Sequence, residues 1–186
     1  MNTFQLILLA LAVGFYYLNT GIAGGYALTG SDKKHLLGFQ TSLIIFLLSA
    51  TFVGLLFGKA LAGLSGHIVV YIAVGMLLIV GLKMLFDSLN SKITSKVFDF
   101  TDKKIVNLFA LGESINMLLA ATAIGLLADN SYLTVLILGI PLILAIVSGP
   151  LLVQSMGKES LKLRLGPIGA LIIIAAAIQK LIQYLS

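Results

Sequence analysis

Apolar residues run through this chain in six long stretches, at approximately 4–28, 36–57, 67–86, 105–128, 132–155 and 166–184. A helix needs about 20 apolar residues to cross the hydrocarbon core of a bilayer, and each stretch comes close to that length or exceeds it. Short polar connections separate them, at 29–35, 58–66, 87–104, 128–131 and 157–165. Lipid offers the backbone no hydrogen-bond partners, so each stretch must satisfy its own amides as a helix. The pattern predicts an all-α, polytopic membrane protein of six transmembrane helices. The first stretch, Phe4 to Leu28, exceeds a signal-peptide core and lacks a basic segment before it, so it reads as a retained helix.

Composition agrees. Of the 186 residues 59% are hydrophobic and only 10% charged, against about 25% charged in soluble domains; the mean hydropathy is +1.10. Without cysteine, disulfides and thiolate metal sites are excluded. The net charge of +5 has a positional explanation. Lys33 and Lys34 lie in the first connection, Lys92, Lys96, Lys103 and Lys104 in the third, and Lys158, Lys162 and Arg164 in the fifth. The second and fourth hold only Lys59. Basic loops stay in the cytoplasm, so the expected setting is the inner (plasma) membrane with both termini outside. The charge then needs no nucleic-acid partner.

The two halves look like repeats. Ser49 precedes Gly58-Lys59 by the same nine residues that separate Ser148 from Gly157-Lys158, and Lys83 and Lys180 close the third and sixth spans. Asn19 and Asn116 occupy matching places in the first and fourth spans. This predicts a three-helix unit at 1–90, a cytoplasmic linker at 91–104, and a second unit at 105–186. Three spans are an odd number, so the second unit must be inverted. Inverted repeats place a transport site at their interface near the midplane.

Glu113 is the one acidic residue deep within a predicted span. A charge there costs about 2.5 kcal/mol or more, so the carboxyl must meet a cavity, a partner or a proton. Asn116 shares its helix face, one turn on, while Ser114 points away. Tyr16 and Asn19 repeat that spacing in the first span, with Thr20 adjacent. Carboxylate and amide oxygens suit hard cations, so Asn19, Thr20, Glu113 and Asn116 form the candidate ion site, with Glu113, Asn19 and Asn116 as metal ligands. The competing reading makes the amides glue between helices. Gly14, Gly21, Gly24, Gly25, Gly112 and Gly125 predict close helix packing, and Pro141 and Ser148-Gly149-Pro150 mark places where the fifth span could kink. His35 reads as solvated, His67 as interfacial, and Lys83 and Lys180 as interfacial anchors, with Asp87 pairing to Lys83.

YYLNTGIAGGYAL and ESINMLLAATAIG in the first and fourth spans, IVGLKML and AAIQKLI in the third and sixth, and the glycine-lysine pairs together resemble the MntP-type manganese exporters of the LysE-like transporter group. The resemblance implies manganese export through a site on the first and fourth helices. On that resemblance the family's motif aspartates align with Asn19 and Asn116, which implies a divergent member in which Glu113, one turn earlier, restores one charge.

The expected activity is that of a small secondary transporter exporting a cation. It is no enzyme: no phosphate-cradling glycine loop, paired nucleophile and base, or metal-hydrolase motif is present. No cofactor is expected. Its partners are the bilayer, the transported cation or small solute, and a second copy in a homodimer. Two other readings stand beside it: a substrate-binding membrane subunit of a multi-component importer, and a structural or regulatory membrane protein that conducts nothing.

Overall fold

The computed structural model describes residues 2–63, 66–89, 99–128, 131–157 and 165–185. They form six helices: α1 (Thr3–Ala27), α2 (Lys33–Leu61), α3 (Gly66–Leu89), α4 (Lys103–Leu127), α5 (Ser131–Met156) and α6 (Leu165–Leu185). All six are long and apolar enough to cross a membrane. Basic residues Lys92, Lys96, Lys158, Lys162 and Arg164, most of the 91–104 linker and the side chain of His67 lie outside the described residues.

Local chemistry starts two of the helices. The Asn2 side chain accepts from the Phe4 amide at 3.4 Å and Asp102 from the Lys104 amide at 2.8 Å, each satisfying an amide that the helix leaves free. Just before α4, the hydroxyl and amide of Thr101 donate to Asp99 and hold its carboxyl below the usual carboxylate range. That turn drives Phe100 inward, 3% exposed, against the rings of Phe39 and Phe109.

The packing is interleaved. α2 lies along α4 and α1 along α5; α6 takes both α1 and α3; α3 also packs on α4, and α2 on α5. Every one of these main pairings joins the first half of the chain to the second. Within the first half, α1 only brushes α2 and α3. The buried interior is almost wholly aliphatic, through Leu43, Leu47, Leu77, Met117, Leu138 and Leu142. Large apolar side chains also cover the outside, among them Phe57, Ile79, Leu108, Leu136 and Ile182. In water such a surface would aggregate; in lipid it is the solvated face. Thr51 and Thr122 bond back to the carbonyls of Leu47 and Leu118 in their own helices, which hides their hydroxyls from lipid.

Glycine sets the closeness of the interleaved pairs. A Cβ on Gly21 would come within 3.1 Å of the Ala145 carbonyl, and one on Gly25 within 2.6 Å of Pro150. On the α2–α4 seam, a Cβ on Gly58 would run into the Thr122 carbonyl, and one on Gly125 would meet the Leu55 carbonyl at 2.8 Å. Gly24 leaves room for the ring of Phe39.

Two expectations change. Gly58 and Lys59 do not belong to the second connection, because α2 continues to Leu61 and Gly58 is needed as a helical contact with α4. Its counterpart Gly157 does end a helix, with φ at +55°, where a side chain would be strained. Gly112 packs against nothing within 4 Å and takes no part in helix approach. α5 runs through both Pro141 and Pro150 without a break, and its Pro150 and Gly149 serve as the flat surface against Gly25 and Gly21 of α1.

Gly58→Ala should lower stability by about 1–3 kcal/mol, since the added methyl meets backbone rather than a movable side chain. Gly112→Ala, facing open space, should be neutral or slightly stabilising. Thermal unfolding of the two variants in detergent checks the contrast.

Candidate functional site

Glu113 sits ten residues past the start of α4, roughly 15 Å along the helix axis and hence about halfway through the span. It is half-buried. The Tyr16 hydroxyl donates to its carboxylate, at 3.2 Å to Oε2 and 3.5 Å to Oε1. The neighbouring Tyr17 hydroxyl donates to the Glu113 backbone carbonyl at 3.0 Å. The two rings meet edge to face with centroids 5.0 Å apart. Both tyrosines are buried, at 3% and 0% exposure, so α1 grips α4 at this one residue. Tyr16 and Glu113 are 97 positions apart, the same interval as Asn19 and Asn116.

Beside the carboxylate is a cavity of about 40 Å³, lined by Tyr16, Asn19, Thr20, Ala23, Asp87, Ser88, Phe109 and Glu113. It therefore joins three of the residues expected from sequence, Asn19, Thr20 and Glu113, and adds two from the end of α3. Ser88 is 8% exposed, and its Oγ has no hydrogen-bond partner. Gly166 at the start of α6 closes the space: a Cβ there would lie 2.6 Å from Ser88 Oγ and 3.2 Å from the Asn19 amide nitrogen. Any larger residue would fill the corner where the orphan hydroxyl and the amide meet.

Asn116 is fully buried but does not line the cavity. Its Oδ1 accepts a 2.6 Å bond from Lys83 Nζ, and its side chain also reaches the Glu113 carboxyl. Lys83 in turn pairs with Asp87 at 3.4 Å, as the spacing of one helical turn predicts. Lys83 is thus more than an interfacial anchor. It ties α3 to the buried amide of α4, and the reason is geometric: α3 packs along α4 with its last two turns level with Glu113. Lys180, its counterpart in sequence, lies elsewhere, beside Gln5, Leu9, Leu77 and Leu127.

Sequence reasoning missed Asp87 and Ser88, which it assigned to a loop and which belong to the last turn of α3. The usable signal was the i, i+4 pair Lys83–Asp87, whose second member extends the helix past its apolar stretch. The cavity's donors are all oxygens apart from amide nitrogen, and among the described residues no group of three or more His, Cys, Asp or Glu could hold a metal ion. A larger cleft, about 390 Å³, opens at the N-terminal ends of α2 and α4, lined in part by Lys34, His35, Phe39, Phe100 and Lys103. His35 is half-buried there. Phe109 stacks on Phe39 at 6.2 Å and belongs to the small cavity's lining, so the Phe39–Phe100–Phe109 cluster stands between the two spaces.

A bilayer-spanning body of six helices, with a carboxylate and small polar cavity held between helices at mid-depth, defines the class of polytopic membrane transport proteins. Residues 30–181 match the family described as "Mntp: Putative manganese efflux pump", and the chain belongs to that family. The match spans α2 to α6; α1, with Tyr16 and Asn19, precedes it. No curated protein and no solved structure matches the chain.

Tyr17→Phe removes a buried hydrogen bond to the Glu113 carbonyl and should cost about 0.5–1.5 kcal/mol. Tyr16→Phe removes a bond to the carboxylate itself and should cost more, about 1.5–3 kcal/mol. Denaturation midpoints of the two variants check the order.

Proposed function

We propose that this protein exports a hard divalent cation, manganese by family, through the cavity between Glu113 and Asp87. The observation that carries the reading is the cavity itself. Two carboxylates, the oxygens of Asn19 and Thr20, and a buried hydroxyl with no partner surround a space of about 40 Å³. One water needs about 10–15 Å³ of such space, so the cavity suits one small ion that keeps part of its hydration. Carboxylate, amide and hydroxyl oxygens favour Mg, Ca and Mn over softer metals. Glu113 is the central ligand, Asn19 and Thr20 supply oxygens from α1, and Asp87 restores the second charge that the asparagines lack. Asn116 acts on the ion through its contacts with Lys83 and Glu113.

The helix pairing supports an inverted three-plus-three arrangement. Exchanging the halves turns α1–α5 into α4–α2 and α1–α6 into α4–α3, and leaves α2–α5 and α3–α6 as they are. All of these are observed pairings. Basic residues in the odd-numbered connections favour those loops as cytoplasmic. The cavity then lies on the cytoplasmic side of Glu113, where an exporter loads its cargo. At the Glu113 cavity a larger organic solute fits less well, because sites for drug-sized ligands occupy roughly 300–1,000 Å³.

In proteoliposomes the purified protein is expected to move Mn²⁺ down an imposed gradient. Glu113→Gln should slow that flux at least tenfold while membrane insertion and helix content stay as in the wild type. Unchanged flux in a folded Glu113→Gln protein would sink the proposal.

A further inference from the structure

The ion cavity has a cation of its own at its edge. Lys83 Nζ lies 2.6 Å from Asn116 Oδ1 and 3.4 Å from Asp87 Oδ2, within electrostatic reach of Glu113. No lysine or arginine lines the cavity itself. We propose that Lys83 is a tethered competitor of the transported ion: its ammonium offsets one of the two negative charges while the cavity is empty, and withdraws when a divalent cation enters. The inference rests on the proposed function and adds a residue that responds to the charge of the bound ion.

Charge bookkeeping motivates it. Asp87 and Glu113 ionised carry −2, and Lys83 brings the group to −1. A divalent ion on the two carboxylates alone gives zero. With Lys83 still docked the group would be +1, and an uncompensated charge between packed helices is costly. Ion binding and lysine docking therefore exclude each other.

A monovalent ion displaces nothing. Beside the docked lysine it already brings the group to zero, so withdrawal of Lys83 answers to a divalent ion alone.

The geometry permits the exchange. The Lys83 side chain is 52% exposed, so packing does not lock it in place. Its compact ammonium rides on a flexible four-carbon stem, and α3 ends only six residues further on, at Leu89, which leaves a short path for the head to rise toward the membrane surface. Asp87 lies one turn away on the same helix, so the pair can open without any movement of α3. The Asn116 oxygen that now receives the ammonium would be released at the same moment.

The test uses the full-length protein in detergent with Mn²⁺ alone as the probe. Lys83→Gln should bind Mn²⁺ at least tenfold more tightly than wild type, because a unit positive charge a few ångströms from the ion has gone. Lys83→Arg, which keeps the charge, should stay within about threefold of wild type.

A second measurement needs no variant. Labelling of Lys83 by an amine-acetylating reagent, read by mass spectrometry, should rise on saturation with Mn²⁺ and stay level with Na⁺. Unchanged or weaker Mn²⁺ binding by a folded Lys83→Gln, or labelling indifferent to Mn²⁺, overturns the competitor role. If wild-type binding is abolished by Glu113→Gln yet indifferent to Lys83→Gln, the ion site stands and only this inference falls. If neither wild type nor Lys83→Gln binds Mn²⁺, both fall together.

Discussion

Holding a carboxylate halfway through a lipid-solvated body is the constraint on which this structure turns. Lipid cannot solvate Glu113, so protein groups must do so. They come from far along the chain: a phenol from Tyr16 on α1, an amide from Asn116, and through Asn116 the ammonium of Lys83 on α3. Even the backbone carbonyl of Glu113 receives a phenol, from Tyr17. None of these partners is brought close by local helix geometry except Asn116. The rest depend on α1, α3 and α4 meeting at one depth.

Small residues make that meeting possible. The α1–α5 seam closes on Gly21 and Gly149, and the α2–α4 seam on Gly58 and Gly125. No hydrophobic effect drives helices together inside lipid, so dispersion between closely fitted backbones carries the association. Near the site the same economy of volume appears at Gly166, whose missing side chain leaves Ser88 and Asn19 a shared corner. Removal of side-chain volume at one glycine builds a seam, and at another it leaves a cavity.

Much of the fold was legible in the order of residues. Six apolar stretches of spanning length became six helices, since lipid leaves an apolar segment little alternative. Glu113 stood out because a lone acid in such a segment demands an explanation, and Asn19 and Thr20 followed from spacing. What could not be read was depth. Asp87 and Ser88 fall where hydropathy declines, so they resembled a loop, yet α3 carries them onward to the level of Glu113. Lys83 resembled an anchor for the same reason. Hydropathy marks where a helix leaves the apolar layer, whereas tertiary packing decides which neighbour its last turns touch. Gly58 was misread in the opposite sense, since a glycine beside a lysine looks like the start of a connection until a neighbouring backbone is found pressed against it.

The interleaved pairing has a consequence for how the molecule is made. Because α1, α2 and α3 find nearly all their partners in the later helices, the first half emerging from the ribosome has almost no interior to settle into. Its glycine faces and the phenols of Tyr16 and Tyr17 must wait in lipid, or with a chaperone, until α4 to α6 arrive. Assembly is therefore a single late event rather than two successive ones, and a chain truncated after α3 would be left in the membrane as loose spans awaiting degradation.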